Sequence, residues 1–193
     1  MATDPAVGFF QDKALITAAT AVGLWLLTRW IEFGANYVRS RKERTNLIRS
    51  LFAEVDFNTK DLDFFVQNSA DISAIEARLN QSEKYLPHIT DAHHTIIYAS
   101  SIPKLHYLDD TLASRLVLFY GLLEKIKAQI DGINLSSFVA TSAAGKITVV
   151  KRVIVNVTEC EAEGSKILDA FSTAYPKLKL TRHFRKNVDT KQR

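Results

Sequence analysis

The sequence predicts an all-α chain in which an N-terminal transmembrane helix continues into a small antiparallel helical bundle. Three observations predict it. Residues 14–28, ALITAATAVGLWLLT, carry no charge. Beyond them, apolar residues recur at steps of three and four over several stretches. Glycine and proline are sparse, 7 and 4 of 193 residues, while 24% of residues are charged, the balance of a helical protein.

The uncharged run is short for a full span, which needs about 20 mostly apolar residues. Extension at both ends gives a span over 13–33. Arg29 fits inside it because its stem can stay in lipid while the guanidinium snorkels to the headgroups. Trp25 and Trp30 fall toward one end, as interfacial aromatics do. The alternatives are a buried helix of a soluble core and a cleaved signal peptide. A signal peptide carries its basic residues before the apolar run. Here Asp4, Asp12 and Lys13 precede it, and Arg29, Arg39, Arg41, Lys42, Arg44 and Arg49 follow it, with only Glu32 and Glu43 among them. By the positive-inside rule the C-terminal side is cytoplasmic and the tail, 1–12, lies outside the cell membrane. The expected membrane-interface residues are Trp25, Arg29, Trp30, Arg39, Arg41, Lys42 and Arg44. Ala14 with Ala18, and Ala19 with Gly23, have the spacing that lets two helices approach closely. That spacing suits a homodimer, although ordinary membrane composition also accounts for it.

A basic juxtamembrane helix is expected over 34–50. The helical pattern then continues through Leu47, Leu51, Val55, Asn58, Leu62 and Phe65, the three-and-four spacing of a coiled-coil seam. No proline interrupts the chain between Lys13 and Asn68, so one helix can leave the bilayer and enter the domain, projecting roughly 50 Å at 1.5 Å per residue. Gly34 is where it could bend. Asn58 lies on the stripe four residues after Glu54. It either sets register or binds a buried partner, or sits at the rim of the core.

The cytoplasmic helical domain is expected over 51–176. Ser69 and Asp71 suit N-caps for a short helix through Ile75 and Leu79, ended by Pro87. DAHHTIIYASSIPKL reads as a second short helix from Asp91, broken by Pro103. Asp109 and Asp110 cap the clearest helix, with Leu112, Leu116, Phe119, Tyr120, Leu123, Ile126 and Ile130 on its apolar face; Gly132 is a candidate end, with extension through Ile133 and Leu135 as the alternative. Residues 147–157 are rich in β-branched side chains, which favours a strand. A lone strand cannot satisfy its backbone, so the segment reads as helix, with Ile147, Val150, Ile154, Val157 and then Glu161 or Ala162 on one face, continuing through Ile167, Leu168 and Phe171 to Pro176.

The tail 177–193, KLKLTRHFRKNVDTKQR, is basic, and the body between the two basic ends is acidic. Anionic lipid headgroups are the expected partner of both ends, each basic residue contributing on the order of 1 kcal/mol. Nucleic acid is disfavoured: the tail has no interleaved aromatics beyond Phe184 and no recognised binding motif. A plain solvated tail is the bland alternative. The single cysteine, Cys160, forbids an intrachain disulfide and fits a reducing compartment.

No motif for a reaction is present. His88, His93, His94 and His106 lack the third ligand and spacing of a zinc site. Glu54, Asp56, Asp61, Asp63, Asp109 and Asp110 lack the ExxH partners of a di-metal bundle and read as caps and solvated faces. There is no nucleophile elbow and no phosphate-binding glycine loop; AAGK at 143–146 lacks the P-loop spacing. Cys160 has no thiolate-stabilising neighbour in sequence and reads as a packing residue. No cofactor, metal or catalytic residue is expected.

Glu54 and Asn58 after the basic stretch, Tyr98 on a short helix, and LVLFYGLLEKI from Leu116 together resemble a broad set of uncharacterised bacterial proteins. These have a single N-terminal membrane helix running into a small cytoplasmic helical domain. That resemblance implies the architecture above and carries no reaction or ligand. The expected function is a membrane-anchored helical interaction module: a scaffold, sensor or regulatory subunit with a protein partner. The alternative is a membrane-bound enzyme or effector whose site would involve the polar core positions Glu54, Asn58, Tyr98 and Tyr120.

Overall fold

The structure, a computed structural model, describes residues 5–68, 72–82, 85 and 93–182, with backbone alone for 5–19, 21, 68 and 72. All regular elements among them are helical: α1 (Pro5–Asn68), α2 (Ile72–Gln81), α3 (Ile96–Ser101), a 3-10 turn (Ile102–Tyr107), α4 (Asp110–Ile133), α5 (Ser136–Val139), α6 (Ala143–Ala174) and a second 3-10 turn (Pro176–Leu178). The all-α expectation holds, and residues 147–157 are helix.

The chain divides into two units, Met1–Thr45 and Asn46–Arg193. The described part of the first unit is α1 alone. Trp25, Arg29, Trp30, Arg39, Arg41, Lys42 and Arg44 are all exposed along it. Arg29 pairs with Glu32 at 3.2 Å and Arg39 with Glu43 at 3.1 Å, one helical turn away in each case. The transmembrane expectation for 13–33 is not met here. Among the described residues no helix is long and apolar enough to cross a membrane. The side chains of 13–19 and 21, the first part of the predicted span, lie outside the described residues, as does the tail 1–4.

The second unit is built on α1 from Asn46, α4 and α6. Phe52 meets Phe171 edge-on at 6.0 Å, and Thr59 lies against Gly164, so α1 and α6 run antiparallel. Arg115 reaches Glu163 at 2.9 Å and Lys125 reaches Asn156 at 3.0 Å, so α4 and α6 are also antiparallel. The bundle is therefore only partly antiparallel: α1 and α4 run in the same direction. A long crossover is needed between two such helices, and the connection holding α2, α3 and the first 3-10 turn provides it.

The expected face of α4 is the buried one: Leu112, Leu116, Phe119, Tyr120, Leu123, Ile126 and Ile130 are all in the core, together with Ile133. Asp109 is its N-cap, accepting from the N–H of Thr111 at 3.0 Å and Leu112 at 3.4 Å. The caps proposed at Ser69 and Asp71, and the start at Asp91, lie outside the described residues; α3 begins at Ile96, and Pro103 is the second residue of the 3-10 turn that follows it. On α6 the stripe is only partly the expected one. Val150, Val157, Ile167, Leu168 and Phe171 are buried, as is Cys160, read as a packing residue, but the remaining core positions are Lys146, Val153, Asn156 and Gly164. Ala162 faces solvent, and Ile147, Ile154 and Glu161 are half-buried. Apolar spacing misplaced the face because Lys146, Asn156 and Gly164 belong to it. AAGK forms the first turn of α6, where Ser142 Oγ caps the Gly145 N–H at 3.3 Å, and the Lys146 ammonium lies 5.9 Å from the centre of the Phe138 ring.

The folded unit extends beyond 176. From the second 3-10 turn onward the chain alternates, with Leu178 and Leu180 packed on the core and Lys177 and Lys179 outward. Arg182 closes this strap on α6, donating to the Ser165 carbonyl at 2.9 Å and to Asp169 at 2.6 Å.

Candidate functional site

The four polar core positions expected from the sequence lie in one place, where α3 docks on α1 and α4. Glu54 is 5% exposed on the buried stripe of α1. Its carboxylate accepts three hydrogen bonds: from the Ile97 N–H at 2.6 Å, the Tyr98 N–H at 2.9 Å and the Tyr120 hydroxyl at 2.7 Å. Ile97 and Tyr98 occupy the first turn of α3, whose N-cap, Thr95, makes no side-chain cap. Glu54 thus caps α3 from another helix, meeting both its orphan N–H groups and the positive end of its dipole.

One turn further along α1, Asn58 binds the backbone of His94 in both directions. Its Nδ2 donates to the His94 carbonyl at 2.6 Å, and its Oδ1 accepts from the His94 N–H at 2.8 Å. At 1% exposure Asn58 is not at the rim of the core, and its partner is the backbone of His94, a residue that is itself exposed. The rings of Tyr98 and Tyr120 stack with centroids 3.8 Å apart and planes within 6°.

This arrangement is a clamp. Each named polar atom on Glu54 and Asn58 is engaged with backbone or with Tyr120. The backbone N–H partners were invisible to a search for motifs, because every residue but proline has one.

Beside the clamp, α3 and α4 enclose a cleft of about 330 Å³, lined by Thr95, Tyr98, Ala99, Ile102, Val117, Tyr120, Gly121 and Glu124. Ile102 and Val117 are each 55% exposed beside it. Glu124 stands at the edge, 3.9 Å from His93 Nε2.

Of the histidines, His88 lies outside the described residues. His94 packs edge-on against Phe57, and His106 Nδ1 is 2.9 Å from the Pro103 carbonyl. Among the described residues no cluster of three or more His, Cys, Asp or Glu is placed to hold a metal ion. Cys160 is fully buried, its Sγ 3.8 Å from the Phe119 carbonyl.

Burial, reinforced by Glu163, pushes the Cys160 thiol up to about 12. Burial also raises the Tyr98 hydroxyl. For Tyr120 burial is the first cause of a larger rise, followed by the bond to Glu54, the charge of Glu54 and Tyr98. Burial raises Asp61 too, against the opposing pull of His94 and Lys60. A raised pKa in the folded state means that the unfolded chain releases its proton first as pH rises. The Cys160 contribution is complete below pH 9.0 and is lost between there and about 12, at about 1.4 kcal/mol per pH unit. Tyr120 adds its own loss above pH 10.0. Urea unfolding at pH 8 to 10 is expected to give a falling profile, and Cys160→Ala to flatten it. An unchanged slope in that variant would contradict the assignment.

No family model, curated protein or solved structure matches this chain.

Proposed function

We propose that this chain is a single-pass, membrane-anchored helical interaction module: a scaffold, sensor or regulatory subunit with its second unit on the cytoplasmic face. One observation carries the reading. Val22, Leu24, Trp25, Leu26, Leu27, Trp30, Ile31, Phe33, Tyr37 and Val38 of α1 are each 46–77% exposed. Successive helical positions are about 100° apart, so Leu24 to Leu27 circle the axis. An apolar turn exposed on every side favours an apolar medium, which a bilayer supplies, and the flanking Arg29 can reach its headgroups. The basic residues that follow fit its anionic cytoplasmic surface, and the small residues before Leu24 fit a homodimer.

The clamp supports a non-enzymatic role, because the carboxylate and the amide that would serve as base or binder are consumed in holding α3. The test is membrane fractionation of the full chain. It is expected to remain in the membrane pellet through alkaline carbonate extraction. In right-side-out vesicles the C-terminal portion is expected to be protected from added protease. Release by carbonate would end the anchor reading, and digestion of the C-terminal portion would reverse the orientation.

A further inference from the structure

Gly121 sits in the middle of α4, where glycine weakens a helix. Neither usual reason for glycine applies. Its φ is not positive, and a Cβ there would meet nothing within 4 Å among the described residues. Gly164 of α6 is the contrast, since a Cβ there runs into Thr59 and Phe119. The missing side chain at 121 instead opens the wall of the cleft between α3 and α4. We propose that this cleft is a ligand site and that its occupant is a small organic cation with an apolar body.

Size and lining set the apolar part. At about 330 Å³ the cleft falls at the lower end of small-molecule sites. Ile102 and Val117 flank it, each 55% exposed among the described residues. Charge sets the rest. Among the described residues that line the cleft, Glu124 is the one carboxylate, and its side chain is 60% exposed. The neighbouring basic group is His93, at 3.9 Å, while Lys125 turns away to Asn156. A cation would meet Glu124 at the rim while its apolar body fills the space beside Gly121. This assignment stands apart from the membrane reading, since every residue in it belongs to the second unit.

The test uses the full chain in lipid nanodiscs at pH 7.5, with 3-phenylpropylamine as the cationic probe and 3-phenylpropanol as its neutral counterpart. Binding is read from the methyl resonances of Val117 and from calorimetry. The amine is expected to shift Val117 and to bind at least fivefold more tightly than the alcohol. Glu124→Gln should remove that difference. Gly121→Leu should abolish binding while leaving the melting temperature unchanged or higher, because leucine is the better helix former and the position is open. Equal binding of the two probes overturns the cation. No shift of Val117 with either probe, or a shift that survives in a stably folded Gly121→Leu variant, overturns the site.

Discussion

Glu54→Ala is expected to lower the stability of the second unit by about 3 kcal/mol, read as a drop in the urea midpoint at unchanged slope. The alanine leaves two backbone N–H groups of α3 and the Tyr120 hydroxyl without their acceptor. Each unsatisfied buried donor costs about 1–3 kcal/mol, and water entering the space recovers part of that. Glu54→Gln separates shape from charge. It keeps the volume but presents one amide N–H₂ to donors, so an intermediate loss of about 1–2 kcal/mol is expected. Tyr120→Phe removes only the hydroxyl bond, and its effect should shrink when Gln already occupies 54, the mark of a direct interaction in a double-mutant cycle. A Glu54→Ala variant as stable as the parent would mean that the carboxylate does not hold α3, and would return it to the list of groups available for chemistry.

Gly164→Ala should cost about 2 kcal/mol or more, against the usual gain from replacing a helical glycine. In an open helix the change favours the folded state by about 1 kcal/mol. Here the new Cβ would come to 2.2 Å from Thr59 Oγ1 and 2.8 Å from Phe119 Cε2. Phe119 is fully buried and cannot swing aside, so α1 and α6 must separate, and overpacking of this kind typically costs about 1–3 kcal/mol. Thr59 Oγ1 has no hydrogen-bond partner among the described residues, so its removal loses little. Thr59→Ala combined with Gly164→Ala should therefore recover part of the loss in thermal or urea unfolding. A Gly164→Ala protein that is more stable than the parent would show that the two helices are not in contact there.

The sequence was most legible where one helix face is apolar without exception. On α4 the cap and the face follow from Asp109 and seven core positions, because periodicity and capping chemistry are local, while the helix runs through Gly132 to Ile133. It was less legible on α6, where a lysine, an asparagine and a glycine occupy core positions and apolar spacing points to a neighbouring face. Glu54 and Asn58 could be singled out because a polar residue on an apolar stripe is itself a signal. Their partners could not, since those are backbone groups set in place by the tertiary fold. The strap after Pro176 had a readable pattern too. Lys177-Leu178-Lys179-Leu180 alternates with period two, but the density of positive charge made it look like a solvated tail. For the cleft, no periodicity distinguishes a glycine that opens space from one that ends a helix.

The cap on α3 also fixes when that helix can exist. Its donors lie 43 and 44 residues downstream of the carboxylate that receives them. Six residues are too few for a helix to persist alone in water, where about 12–15 are marginal, and Thr95 offers no local start. The place it occupies is made by Glu54 on one side and the Tyr120 ring on the other, so α1 and α4 must already stand together before α3 can form. The reverse holds on opening: α3 can unwind while the three long helices stay packed. In hydrogen exchange its amides, those of Ile97 and Tyr98 included, are expected to form a small early-opening group, and the protection of those two would measure how often a carboxylate on a distant turn lets go.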